Sequence, residues 1–190
     1  LVGGMYATGA DVQEMQAFLD EIDWPSVLEG DVPFEQKAFR RREDQRFAPA
    51  QLEFGLKDGL SWPPGVDAGQ QVGLVLDRIS LPYSSIASFD DLPIPFACVA
   101  VDLAAGDEVV FRDGRLGLAL RATMSFPAWF SPVRDGDRVL ADGGGLNNMP
   151  TDVMRRMGAD LIVAVDLSAR TSVEEAFDSA LGAVSRTVSI

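Results

Sequence analysis

The run Val139-Leu140-Ala141-Asp142-Gly143-Gly144-Gly145-Leu146-Asn147-Asn148-Met149-Pro150 constrains the fold of this chain more than any other stretch. It begins as a short apolar strand and ends in Pro150-Thr151-Asp152, a helix start. Asp142 stands at the strand's end, and three glycines follow it. Glycine permits positive φ and close backbone approach, so the chain can turn sharply there and present the carboxylate rather than bury it. Taken alone, an Asp-Gly-Gly turn is also what an aspartate bonded to its own loop looks like.

The alternation of helical patterns with apolar strand-length runs predicts a doubly wound α/β domain. Leu1 to about Thr8 reads as a small-residue helix closed by Gly9. Asp11 and Glu14 form a capping box for a helix with Val12, Met15, Phe18, Leu19 and Ile22 on one face, stopped at Trp24-Pro25. Asp67 is expected to cap a helix carrying Val72, Val75, Leu76 and Ile79. The prolines of Phe89-Asp90-Asp91-Leu92-Pro93-Ile94-Pro95 favour extended backbone. Phe96 to Leu103 reads as a strand, turned through Ala105-Gly106-Asp107 into Glu108-Val109-Val110-Phe111. A helix from Arg115 to about Thr123 and another ending near Met157 and Gly158 follow. Leu161-Ile162-Val163-Ala164-Val165 has the continuous apolar character of a strand covered on both faces, and residues 172–188 carry a helical stripe. The run Arg40-Arg41-Arg42-Glu43-Asp44 is mixed in charge and reads as a solvated surface, and Trp62-Pro63-Pro64-Gly65 as a rigid loop. With no repeats and no linker, the 190 residues read as one domain, 1–190.

Composition narrows the chemistry. The chain has no histidine and a single cysteine, Cys98, so neither a Ser-His-Asp triad nor a Cys-His pair can form within it, and the usual zinc sites are excluded. Cys98 lies in an apolar run and reads as an inert core thiol. A formal charge of −13 repels nucleic acid and anionic lipid surfaces but not a neutral lipid ester. No run of about 18 apolar residues is present, and no phosphate-loop motif is found.

Open α/β sheets gather their sites at the carboxyl ends of strands, where Asp102, Asp142 and Asp166 fall. Only Asp142 is followed by glycines; Asp102 and Asp166 read as residues that bond neighbouring backbone N–H groups. A carboxylate can serve as base for a serine hydroxyl. Ser84, Ser85, Ser125 and Ser131 are the serines considered, and none sits in a G-x-S-x-G elbow. Ser125, just past a helix, reads as a local hydrogen-bonding residue. No nucleophile is supported within the chain.

Together these segments resemble the bacterial patatin-like phospholipases, most closely the branch that can precede an outer-membrane barrel. The resemblance runs from Leu1 to about Ser168. Leu1-Val2-Gly3-Gly4-Met5-Tyr6-Ala7-Thr8-Gly9 is similar to the helix that follows that family's G-x-S-x-G. Phe54-Gly55-Leu56-Lys57-Asp58-Gly59, Ala68-Gly69-Gln70-Gln71 and the Phe89–Phe96 segment resemble its middle portions. Arg121-Ala122-Thr123-Met124-Ser125-Phe126-Pro127 with Phe130-Ser131-Pro132-Val133 is similar to its R-A-S-x-x-x-P…F-x-P-V block, and Asp142-Gly143-Gly144 with Asn147-Asn148-Met149-Pro150 to its D-G-[GA]…N-x-P motif. Departures are Ala128-Trp129 where a glycine is common, Gly145 extending the glycine run, and Thr123 in place of serine.

The resemblance implies a three-layer α/β/α domain with a mostly parallel central sheet, here incomplete at its N-terminus, because the matching serine falls just upstream of Leu1. It implies a serine lipid acyl hydrolase, a phospholipase A or esterase, working through a Ser-Asp dyad in which Asp142 is the aspartate of the D-G-G motif Asp142, Gly143, Gly144. No cofactor or metal is expected. The expected partners are a phospholipid or other lipid ester and, peripherally, a membrane surface; an exported or outer-membrane-linked location goes with the same branch. Such a fragment lacks nucleophile and oxyanion donors and is expected to be inactive alone. Trp24, Phe54, Trp62 and Trp129 are candidate acyl-channel residues. The alternatives are a non-catalytic lipid-binding or scaffold domain of the same fold, and a nucleotide-binding domain, which the missing phosphate loop disfavours.

Overall fold

The computed structural model describes residues 1–29, 65–67 and 69–166. The charged run at 40–44, the loop at 62–64, Phe54 and the helix expected over 172–188 lie outside the described residues, as do the side chains of Ala128 and Trp129.

Helix α1 (Val2–Ala7) ends at Gly9, whose φ of +89° reverses the chain as the sequence predicts. Helix α2 (Val12–Glu21) starts on the expected capping box: Asp11 accepts from the Glu14 N–H at 2.8 Å, and Glu14 accepts from the Asp11 N–H at 3.0 Å. It ends at Ile22, and Trp24-Pro25 opens the next helix, α3 (Trp24–Glu29), rather than only stopping the last. Proline suits a first turn, where its missing N–H would have no intrahelical partner. Strand β1 is Gly65–Asp67 and helix α4 is Gln70–Ser80, with Val72, Leu76 and Ile79 buried as their spacing requires. Asp67 belongs to β1 and does not cap α4; the N-cap is Gly69, in left-handed backbone at φ +70°.

Among the described residues the main sheet has four strands: β2 (Cys98–Asp102), β3 (Asp107–Phe111), β5 (Val133–Asp135) and β6 (Arg138–Asp142). Its order is β3-β2-β6-β5, and every pairing is antiparallel. The mostly parallel sheet expected from the resemblance is thus not what the described residues build. The physical reason is connection length: β2–β3 and β5–β6 are joined by tight turns, through Gly106 (φ +79°) and Gly136 (φ +61°), and tight turns can join only antiparallel neighbours. A parallel pairing does occur between β1 and β4 (Ala128–Phe130). Helix α5 (Leu116–Thr123) precedes β4, and α6 (Thr151–Arg156) follows β6.

The core lies where α1, α4 and α5 meet Phe89, Leu92 and Phe130; a smaller cluster of Ala100, Ala122 and Leu140 sits under α5 against the sheet. The run at 161–165 departs from expectation. It forms no strand, and Leu161, Val163 and Val165 are 83, 81 and 76 % exposed.

Candidate active site

Asp142 closes β6, opposite Ala100 on β2. Its backbone N–H donates to the Ser125 carbonyl at 3.0 Å, which fixes the strand's end against the residues leaving α5. Gly143–Gly145 then form a single 3-10 turn. Gly143 is obligatory for close approach, because a Cβ there would run into the backbone carbonyl of Val99 on β2. The Asp142 carboxylate is half-buried. Its Oδ1 accepts from the Gly144 N–H at 2.8 Å, and Oδ2 has no partner among the described residues. Burial raises the Asp142 carboxyl above its ordinary value, and the Gly144 hydrogen bond partly opposes that rise. A carboxylate so held, with one oxygen fixed and the other open, is suited to accept a proton.

Helix α1 comes to the same end of the sheet. The Ile94 N–H donates to the Ala7 carbonyl at 3.1 Å, and Gly3 lies against the Phe96 ring. The helix therefore runs antiparallel to residues 94–98, with its N-terminus towards the start of β2. The start of α1 therefore lies by the approach to β2, where Gly143 packs against Val99. Gly4 makes this packing possible: a Cβ on it would fall 2.8 Å from a Leu120 methyl.

The other sequence-nominated groups have structural roles. Asp102 is buried, and its Oδ1 accepts from the N–H groups of Ala104 (3.0 Å) and Val139 (3.2 Å), bonds that hold its carboxyl below the ordinary value. Asp166 is exposed at the end of the described residues. Ser125 is fully buried; its Oγ donates to the Arg121 carbonyl at 2.9 Å and accepts from Arg121 Nη1 at 2.7 Å, as befits a local hydrogen-bonding residue. The Cys98 thiol is pushed up to about 12 by burial, which keeps it protonated and inert. Trp24 donates from its indole to the Leu19 carbonyl at 3.0 Å and so belongs to the α2–α3 corner. Among the described residues no group of His, Cys, Asp and Glu could hold a metal ion.

Two features escaped the sequence reading. Arg121 reaches Ser125, the Ser131 carbonyl (3.4 Å), the Phe130 ring (5.3 Å) and the backbone of Gly69, where its guanidinium fills the space a Cβ would take. The loop after the glycines is moored by Asn147, whose amide donates to Glu108 at 2.8 Å and Asp152 at 3.0 Å. Only the Asp152–Arg156 pair within that mooring has a local signal, its i,i+4 spacing.

A strand-end aspartate on a glycine turn, beside the start of a small-residue helix, is the arrangement found where the profile of the family described as patatin-like phospholipase matches residues 1–155. The chain belongs to the patatin-like phospholipase family. An uncharacterized NTE family protein of Mycobacterium tuberculosis is 41 % identical over 94 residues, which is 50 % of this chain and 26 % of that protein. Another from the same species is 35 % identical over 92 residues, 48 % of this chain and 16 % of that protein. Patatin-like phospholipase domain-containing protein 7 of Rattus norvegicus is 36 % identical over 88 residues, 45 % of this chain and 6 % of that protein. The matched segments thus cover about a quarter or less of these patatin-like relatives' own lengths.

Proposed function

We propose that this chain is part of a serine lipid acyl hydrolase, a phospholipase A or esterase, in which Asp142 is the aspartate of a Ser-Asp dyad and the serine stands immediately upstream of Leu1. Membership of the patatin-like phospholipase family supports lipid hydrolysis. The observation that carries the dyad is the convergence of two elements on one sheet end: the start of α1, with Gly3 against Phe96 just before β2, and Asp142 with its open Oδ2 opposite Ala100 and its Gly143 against Val99. The absence of histidine from these residues agrees with a base that is a carboxylate.

In this mechanism the serine Oγ bonds to the acyl carbonyl carbon as its proton passes to Asp142. The C–O bond to the leaving alcohol breaks, and the alcohol takes that proton. Water then attacks the acyl-enzyme, giving a proton to Asp142, and the serine recovers a proton as the fatty acid leaves. The substrate is a phospholipid or related ester, met at a lipid surface. Backbone N–H groups for the oxyanion, commonly worth about 3–4 kcal/mol, come from outside these residues.

The test is ester hydrolysis and fluorophosphonate labelling of the full-length protein, with Asp142→Ala alongside. Labelling and turnover in the wild type, with turnover lost in the variant, is the expected result. Unchanged turnover in Asp142→Ala removes Asp142 from the mechanism. Neither labelling nor hydrolysis in the wild type favours a non-catalytic lipid-binding domain of the same fold.

A further inference from the structure

Among the described residues Asp142 Oδ1 has a single donor, the Gly144 N–H. That N–H belongs to the peptide unit joining Gly143 and Gly144, whose other end is the Gly143 carbonyl. The peptide is planar, so its carbonyl and its N–H turn together. Glycine on both sides leaves little steric resistance to such a turn. What holds it is the carbonyl end: the Gly143 oxygen accepts from the N–H groups of Asn147 (2.9 Å) and Leu146 (3.1 Å).

Asn147 is itself anchored through its side chain. Its amide nitrogen donates to Glu108 Oε2 on β3 at 2.8 Å and to Asp152 Oδ1 at the start of α6 at 3.0 Å. Arg156 joins the same two acids, at 2.6 Å to Asp152 and 3.6 Å to Glu108. The amide's orientation follows from its neighbours, since a flipped Asn147 would aim its oxygen at two carboxylates. Glu108 pairs with Val101 on β2 within the sheet. The mooring therefore ties the glycine turn to the sheet that carries Asp142 and to the helix that follows.

We propose that Asn147 is a positioning residue for Asp142: moored to Glu108 and Asp152, it fixes the Gly143–Gly144 peptide and through it the orientation of the Asp142 carboxylate. This role rests on the dyad reading above and extends it to a residue that touches no substrate. Loss of the mooring frees the peptide to turn, removes the donor from Oδ1 and moves the carboxylate off its line to the serine.

The test uses the full-length protein and pH–rate profiles with a soluble ester. In Asn147→Leu, kcat falls by about 10²-fold, the scale of an ångström-sized misplacement, while KM stays within about twofold, the pattern of an interaction made only in the transition state. The acidic limb of kcat moves to higher pH, because the bond that stabilises the ionised Asp142 is weakened. Glu108→Ala gives a smaller effect of the same kind, and Glu108→Gln, which keeps an acceptor for the Asn147 amide, restores most of the turnover. This second pair keeps the role testable should Asn147→Leu fail to fold. An acidic limb left in place in both Asn147→Leu and Glu108→Ala overturns the role, even if stability falls, since a merely structural part would cost stability without moving the limb. Asp142→Asn run alongside separates the two ideas. Inactive Asp142→Asn with unaffected Asn147→Leu leaves the dyad standing and removes Asn147; active Asp142→Asn overturns the dyad and this role with it.

Discussion

Two opposing influences meet on the Asp142 carboxyl: burial raises it above 3.8, and the Gly144 N–H lowers it. Because burial is the larger, the folded state holds the proton more tightly than the unfolded chain. Between the unfolded and the folded value the folded state thus binds more protons, and stability contributed by this group falls as pH rises through that window. Asp142→Asn is expected to remove that slope and to unfold at higher urea than the wild type at pH 7, as followed by circular dichroism. The same shift sets activity: the acidic limb of kcat should lie above the ordinary aspartate value and be governed by Asp142. Gly143→Ala is a second residue-scale case. Its Cβ would meet the Val99 carbonyl, which is backbone and cannot step aside, so a loss of about 1–3 kcal/mol in urea unfolding is expected. Asp142 and its glycines were legible because strand, acid and glycines are contiguous. The Asn147 mooring was not, because Glu108 is 39 residues away and only the β2–β3 hairpin brings it there.

At the scale of elements, local signals held where the interaction is local. The Asp11–Glu14 box, the Gly9 and Gly158 stops and the Gly106 hairpin all form within a few residues, so neighbouring side chains decide them. Helix α2 has no buried residue and leans on its cap. Asp11→Ala is expected to cost about 1 kcal/mol, seen as faster amide hydrogen exchange confined to α2. The start of α4 shows the opposite case. Asp67 is a good capping residue by type, yet the N-cap is Gly69, in left-handed backbone with the Arg121 guanidinium filling the space its Cβ would take, and Arg121 arrives from α5, 52 positions later in the chain. A side chain distant in sequence thus makes glycine the residue that fits at position 69.

For the whole molecule, the cores and the surface pull apart. Leu120 is buried at 1 % exposure between α1 and α4, whereas Val163 is 81 % exposed. In this chain Leu120→Ala should cost about 2–5 kcal/mol, and Val163→Thr should stay within about 0.5 kcal/mol, both measured by chemical denaturation. The charge of −13 acts at the same scale. If the chain meets a lipid surface, repulsion from anionic headgroups is long-ranged and screened by salt. Co-sedimentation with vesicles of anionic lipid should therefore rise as NaCl is added, and that with zwitterionic vesicles should change little.

By itself the sequence determined helices α1, α2, α4, α5 and α6, the β2–β3 hairpin, the glycine turn and the aspartate at its head, and it carried the family resemblance. Each of these rests on contiguous residues or on short periodicities. The antiparallel pairing of β2 with β6 and the exposure of residues 161–165 were decided by tertiary structure alone. An apolar run such as Leu161–Val165 states that burial would be favourable, but not which neighbour provides it, and in the described residues no strand lies against it. Tertiary structure likewise brought Gly3 beside Phe96, Gly143 beside Val99 and Glu108 beside Asn147. Hydrogen bonds and packing act through space, and the distance between two residues along the chain carries little information about the distance between them once it has folded.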